Sequence, residues 1–523
     1  MPALQPAPSN PNDDACYLAL KTHDARFDGR FFTAVTSTGV YCRPVCKVRC
    51  PKRENCRFFQ LAAQAEQAGF RPCLRCRPEL APQANLQAAY GDWAADGQAV
   101  WSVQDASSIL AQQAARLLDA PENWSDGRTS MATLAARLGV SERHVRRIFE
   151  THWGVSPLQY WQTRRLLTAK QLLTDTRLPV STVASLSGYA SVRRFNDAFV
   201  SHYRLQPSAL RKEARSAAPT TEALVLRAAY RPPYDVGAML RFFATRQIEG
   251  MEHVDIAQAT ITRTLALNTG HGETLQGWIQ AQFVPDTYTV QFRISPSLGA
   301  ALPTVLARLR AWLDLDADPQ PINALLLADF PGTEGLRVPG TLDGFELAVR
   351  AVLGQQITVA AARTLSARLV ARCGETVVTP VPGLNRLFPS AATLAQVDTD
   401  VLGQLGVVKQ RQRAILALAQ AVSTGQLRLH AGADIAASLA ALQALPGIGP
   451  WTAHYIALRA LRWPDAFPAG DVALHNALGV QDQARPAQAA ELASQRWRPW
   501  RSYAVLRAWS RLGAPVKSLS NAP

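Results

Sequence analysis

Four cysteines in two close pairs are the first residues of this chain whose spacing points to chemistry. Cys42-x3-Cys46 is followed, after 26 intervening residues, by Cys73-x2-Cys76. Two such pairs separated by a loop suit one tetrahedral four-thiolate zinc site. Metal binding would hold all four sulfurs as thiolates, a centre with a formal charge of −2. Most sites of this kind only hold a fold together, and the spacing alone leaves that structural reading open. Seven of the eight cysteines precede residue 77. The chain opens on a polar, proline-rich stretch without an apolar leader. Metal ligation is therefore favoured over a secreted disulfide framework. Cys50 and Cys56 lie between the pairs as competing ligands, while Cys16 and Cys373 read as isolated thiols.

A second constellation sits far along the chain. Leu445-Pro446-Gly447-Ile448-Gly449 separates two stretches of helical pattern, residues 436–444 and 451–461. Glycines in such a hairpin let backbone N–H groups approach a phosphate closely. An ordinary tight helix–helix turn would look the same. Phe467-Pro468-Ala469-Gly470-Asp471 follows, its aspartate 22 positions beyond Gly449. A carboxylate there could act as a general base or stabilise a developing positive charge; the plain alternative is a helix N-cap. Trp451, Tyr455 and Trp500 surround these motifs in sequence; taken alone, each reads more readily as core than as a ligand-stacking ring.

These groups need elements to position them. Residues 134–141 read as a helix, a glycine turn at Gly139 and a Ser141 cap, leading into a helix with Arg143, His144, Arg146 and Arg147. The pattern recurs at residues 183–191, with Ser191 as the cap and Arg193, Arg194 and Asn196 early in the next helix. Such side chains can reach base edges in a major groove, whereas a helical bundle with a solvated basic face is the bland alternative. Val290, Phe292 and Ile294 alternate with polar neighbours as a half-buried strand, and residues 302–313 follow an amphipathic helical pattern. Residues 81–101 and 213–222 read as linkers. The net charge of +15 favours a polyanionic partner. No run of eighteen apolar residues is present, so no membrane association is expected and the default compartment is the cytoplasm.

Family likenesses sharpen these readings. Thr38-Gly39-Val40-Tyr41-Cys42-Arg43-Pro44-Val45-Cys46 and Gly69-Phe70-Arg71-Pro72-Cys73-Leu74-Arg75-Cys76 closely resemble the zinc domain of Ada-type alkylation-response proteins. That resemblance implies Cys42, Cys46, Cys73 and Cys76 as ligands of one Zn2+. It also implies Cys42 as the thiolate that takes a methyl group from a DNA methylphosphotriester, once per molecule. The centre would drop from −2 to −1 and bind DNA phosphate more tightly. The paired helix-turn-helix segments resemble the AraC-type DNA-binding domain, which implies RNA polymerase as a further partner. The hairpin with its distant Asp471 resembles the helix-hairpin-helix glycosylase superfamily, and residues 223–515 are most similar to AlkA-type 3-methyladenine DNA glycosylase II. Asp471 then matches the catalytic aspartate, and Trp451, Tyr455 and Trp500 match pocket positions. Gly447 and Gly449 match the DNA-gripping hairpin. Gln356, in Leu353-Gly354-Gln355-Gln356, falls where the family places the wedge that replaces a flipped base, although AlkA-type enzymes carry an apolar residue there.

Trp451 stands where lyase-type relatives carry their Schiff-base lysine, so a monofunctional glycosylase is expected. The half that follows residue 222 has only Cys373, so no iron–sulfur cluster is expected. The Pro-Cys-His-Arg signature of an alkylguanine methyltransferase does not occur. The expected architecture is multidomain: a small α/β zinc domain (residues 10–80), an all-α double helix-turn-helix domain (102–212), an α+β domain (223–335) and an all-α helix-hairpin-helix domain (336–515). The expected protein is a monomer acting on double-stranded DNA, with alkylated bases and methylphosphotriesters as targets. The competing reading is a transcription regulator whose C-terminal half binds damaged DNA without excising bases.

Overall fold

A computed structural model describes residues 13–83, 103–121, 130–213, 223–268 and 273–512. Most of both expected linkers falls outside these described residues. The first domain is built on a four-stranded sheet in the order β3-β1-β2-β4, with β1 Phe32–Val35, β2 Val40–Cys42, β3 Cys56–Phe59 and β4 Arg71–Pro72. Only β2 and β4 run parallel, with Tyr41 opposite Pro72. That pairing positions the cysteines: β2 ends on Cys42, β4 delivers Cys73, and the Cys73 N–H donates to the Tyr41 carbonyl at 2.9 Å. Helix Ala62–Gln67 packs behind the sheet.

Both helix-turn-helix copies form as the sequence implies. Helix Met131–Leu138 ends on Gly139 at φ 67°, in the left-handed region that glycine enters without penalty. The Ser141 hydroxyl then accepts from the His144 N–H and starts helix Glu142–Trp153. In the second copy, helix Val180–Leu186 turns through Ser187 and Gly188, and Ser191 caps helix Val192–Tyr203. Helix Pro157–Asp175 joins the two copies.

The two copies differ in what they pack against. The first has its own core of Leu134, Val145, Phe149, Val155 and Tyr160, joined by helix Val103–Asp119. The second contributes Phe195, Phe199 and Tyr203 to a core it shares with the following sheet residues Leu226, Ile279 and Phe292. That sheet is antiparallel throughout, in the order β5-β9-β8-β7-β6, with β5 Leu224–Ala229, β6 Glu252–Asp255, β7 Thr260–Asn268, β8 Thr274–Val284 and β9 Thr289–Ile294. Strand β9 alternates half-buried and buried residues, as its pattern predicts. Helix Leu302–Trp312 supplies Val305, Leu309 and Trp312 to the same core.

The last domain is a helical bundle around a large apolar core. Its core begins ahead of the expected boundary at residue 336. Ile322, Leu326 and Phe330 turn their apolar faces into the bundle, while the sheet core closes over Leu313 and Leu315. Among the described residues, no helix is long and apolar enough to cross a membrane.

Candidate functional site

The four sulfurs of Cys42, Cys46, Cys73 and Cys76 lie within 4.8 Å of one another. Zinc–sulfur bonds of about 2.3 Å in a tetrahedron would bring the sulfurs to slightly closer spacing, so this donor set fits the metal. Left to themselves, sulfurs this close cannot all ionise. Hydrogen bonding with Cys46 pushes the Cys42 thiol up, and bonding with Cys42 holds Cys46 and Cys73 down while pushing Cys76 up. A divalent cation resolves that conflict by displacing the shared protons. The loop between Cys42 and Cys46 is locked by Arg43. Its backbone N–H donates to Cys76 Sγ at 3.3 Å, and its buried guanidinium pairs with Asp28 and donates to the Cys76 carbonyl at 3.0 Å. Cys50 and Cys56 stand outside the cluster, their thiols donating to the Pro51 and Lys52 carbonyls. Burial pushes the Cys56 thiol up to about 11, far from a ready metal ligand.

The second group is assembled from three helices. Asp471 is the N-cap of helix Val472–Leu478, its Oδ1 accepting from the Leu474 N–H at 2.8 Å. The cap alternative raised by the sequence is therefore real, but a cap needs only one of the carboxylate oxygens. Trp451 Nε1 donates to Oδ2 at 2.8 Å, and Trp509 Nε1 donates to Oδ1 at 3.1 Å. Trp451 and Tyr455, one turn apart on helix Pro450–Arg459, stack with ring centres 5.5 Å apart and planes 11° apart. Trp509, on helix Arg501–Leu512, stands 6.3 Å from Tyr455. The result is a carboxylate, 9% exposed, gripped by two half-buried indoles with Tyr455 as a third half-buried ring beside them.

Trp500 is not part of this group. It is only 4% exposed and packs edge-on against Tyr503 inside the core. The aromatic position that the sequence reading gave to Trp500 is filled by Trp509. Two turns of helix separate the two residues, enough to carry one into the core and the other to the rim. Spacing from the Arg501 end of that helix could have separated them.

The hairpin lies at the start of helix Pro450–Arg459. Gly447 has φ 77°, and a side chain there would crowd Ala414. Gly449 is exposed, with nothing within 4 Å of where a Cβ would stand, so its face is open to a phosphate. Gln356 is exposed at the tip of the preceding loop, in the left-handed region at φ 54°. Its neighbour Gln355, which the sequence reading passed over, ties this tip to the hairpin. Gln355 Nε2 donates to the Gly447 carbonyl and to Thr452 Oγ1, both at 2.9 Å. Of the recognition-helix candidates, Arg143, Arg146, Arg147, Arg193 and Arg194 are exposed and Asn196 is half-buried.

Four family models match successive parts of the chain: the metal binding domain of Ada (residues 15–79), a helix-turn-helix domain (134–213), the AlkA N-terminal domain (225–343) and the HhH-GPD superfamily of base excision DNA repair proteins (349–502). The same order of parts occurs in one curated protein of Mycobacterium tuberculosis, named "Probable bifunctional transcriptional activator/DNA repair enzyme AlkA". It is 38% identical over 515 residues, covering 96% of this chain and 97% of that one. This chain belongs to that family. Two further relatives each match one part of the chain. DNA-3-methyladenine glycosylase 2 of Escherichia coli is 36% identical over 54% of this chain and 95% of its own length. The bifunctional transcriptional activator/DNA repair enzyme Ada of Escherichia coli is 34% identical over 29% of this chain and 37% of its own. The chain is thus a multidomain DNA-binding repair protein with a four-cysteine metal site.

Proposed function

We propose that this protein removes alkylated bases from double-stranded DNA as a 3-methyladenine-type glycosylase and, with its N-terminal half, senses methylphosphotriesters and regulates transcription. The observation that carries the glycosylase reading is the Asp471 carboxylate, fixed by two indole N–H groups beside the stacked Trp451–Tyr455 pair. A cationic alkylated base stacks favourably on electron-rich rings. As its C1′–N bond breaks, the bonding pair leaves with the base, which departs neutral and needs no acid. Positive charge grows on the sugar, and the oriented carboxylate stabilises it. Water then bonds to C1′ and loses its proton, with Asp471 as the available acceptor. The position of a lyase lysine holds Trp451, and Lys409 opens a separate helix, so the enzyme acts as a monofunctional glycosylase. Gly447 and Gly449 grip a backbone phosphate and Gln356 fills the gap left by the extruded base.

In the N-terminal half, a zinc ion held by Cys42, Cys46, Cys73 and Cys76 would keep all four sulfurs as thiolates. Cys42 Sγ attacks the methyl carbon of a phosphotriester, a new S–C bond forms, and the methyl C–O bond breaks to leave a phosphodiester anion. Arg43 holds the loop that presents Cys42. The exposed arginines of the two recognition helices contact DNA, and the protein works in the cytoplasm as a monomer that engages RNA polymerase. The deciding experiment is release of 3-methyladenine from alkylated DNA by wild type and by Asp471→Asn. Asparagine still caps a helix, so the variant isolates the carboxylate's chemistry. Equal, non-zero release by both would return Asp471 to a structural cap; no release by wild type, with DNA binding intact, would leave a regulator that binds damage without cutting.

A further inference from the structure

Arg459 is a buried cation without a carboxylate partner among the described residues. It closes helix Pro450–Arg459, two turns from Trp451 and one turn from Tyr455. Nε donates to the Pro339 carbonyl at 2.9 Å and Nη2 to the Gly340 carbonyl at 3.1 Å. Nη1 donates to the Tyr455 hydroxyl at 2.8 Å. A second guanidinium stands close by. Arg246 lies 3.9 Å over the Phe242 ring, and Arg459 lies 4.9 Å from the same ring. Arg246 donates to the Phe242 carbonyl and to Thr245 Oγ1, and it also interacts with the Tyr455 phenol. Arg350 differs, being held between Glu252 and Glu346. A buried guanidinium at Arg459 and a half-buried one at Arg246, without an acid beside them among the described residues, are costly, and the ionisable group set against both is the Tyr455 phenol.

That phenol is unusual in this chain. Burial pushes Tyr455 up, but Arg459, Arg246 and Arg350 outweigh it and hold the phenol below the ordinary tyrosine range. Tyr17, Tyr41, Tyr160, Tyr189, Tyr203, Tyr230, Tyr234 and Tyr503 are all pushed the other way. The groups facing Tyr455 are Arg459 on its own helix, Arg246 beyond helix Val236–Ala244, and Arg350 on helix Gly344–Leu353 with its two glutamates. The helix bearing Trp509 brings an uncharged ring.

We propose that Arg459, with Arg246, is a positioning residue that fixes both the ring and the charge of Tyr455, and thereby makes Tyr455 a specificity-determining wall for cationic bases. The proposal rests on the reading of this pocket as a base-binding site. While the phenol is neutral, two guanidiniums behind the wall oppose a cationic base. When its proton leaves to solvent, the phenolate cancels one of those charges and enriches the ring. Preference for cationic over neutral lesions therefore rises with pH as Tyr455 ionises. Arg459 stays in place throughout, because two backbone carbonyls between the domains hold it.

The test is a phenolate absorbance titration of the full chain, paired with base release from DNA carrying 7-methylguanine (cationic) or hypoxanthine (neutral). Wild type is expected to show one phenol ionising ahead of the rest. Tyr455→Phe removes it, Arg459→Met moves it upward, and Arg459→Lys restores part of it. At a pH where the wild-type phenol is ionised, Arg459→Met, whose phenol stays protonated, is also expected to cost about threefold to tenfold in KM for the cationic lesion alone, with kcat little changed. An early-titrating phenol that survives Tyr455→Phe overturns the proposal, as does an Arg459→Met protein that loses both lesions equally. Should Arg459→Met not fold, Arg246→Met removes the second charge and is read in the same way. If wild type releases neither base, the glycosylase reading falls, while the absorbance arm still decides whether Tyr455 is tuned.

Discussion

The cysteine centre and the Asp471 pocket both hold concentrated negative charge, and they do so by opposite means. The centre draws its four ligands from one small domain, two from the end of β2 and its loop and two from the end of β4. Valence sets its geometry. The pocket has a single carboxylate, and its neighbours come from three helices spread over residues 450–512. Packing sets its geometry, with indole N–H groups doing for Asp471 what a metal does for thiolates. A valence-built site tolerates little change in its ligands and much in its surroundings; a packing-built site has the reverse sensitivity.

The sharpest way to break this comparison is at the two charged atoms. Asp471→Asn is expected to lower kcat for base release by about a hundredfold or more, with DNA affinity and melting temperature nearly unchanged; single-turnover release and a thermal scan read the two effects. Cys42→Ala is expected to abolish methyl uptake from phosphotriester DNA, measured as protein-bound label, whereas Cys50→Ala leaves uptake intact. Chelation provides the next test. A strong chelator should melt the first domain while base release continues, because no residue of the pocket belongs to the cysteine domain; parallel loss of both activities would contradict the separation.

A smaller effect separates the two tryptophans. Trp509→Phe removes one donor from Asp471 and should cut kcat by about tenfold, the scale of one lost charge-assisted hydrogen bond. Trp500→Phe should instead act on stability, by about 1 kcal/mol, with kcat retained. If the two variants exchange these phenotypes, the rim and the core have been misassigned. The smallest expected effect is at Glu66, which accepts from Thr163 at 2.6 Å and Tyr41 at 2.9 Å where the cysteine domain meets helix Pro157–Asp175. Burial raises this carboxyl from 4.5 to about 7, against those hydrogen bonds and Lys170. Its folded value lies above its unfolded one, so its contribution to stability is fully present below 4.5 and is lost as pH rises through about 7. Glu66→Gln should flatten that decline in chemical denaturation curves across the same range.

Legibility in the sequence follows the same division. The cysteine centre was readable because ligand identity and short spacing nearly determine it. The helix-turn-helix turns were readable because Gly139, Ser141 and Ser191 have local jobs that each residue type alone can do. Trp509 was missed and Trp500 chosen because Trp500 lies in a recognisable motif, whereas Trp509 lies nine positions on along the last helix, where only the packing decides core against rim. Gln355 and Arg459 gave no signal, since their importance lies in carbonyls of distant segments, Gly447 for one and Pro339 and Gly340 for the other. Helix Pro319–Leu326 was unreadable for a related reason: it follows the sheet in sequence but packs with the bundle.

The core shared by the second helix-turn-helix copy and the antiparallel sheet bears on how such a protein can be divided or rearranged. Phe195, Phe199 and Tyr203 find their burial against Leu226 and Phe292, and Gln171 reaches across to the Arg227 carbonyl at 2.8 Å. A cut between residues 213 and 222 would strip both fragments of an apolar face and leave each prone to clump. The join between regulator and repair enzyme is thus a ratchet. Once the two modules had fused and grown into one another, gene fission would have had to repair two surfaces at once.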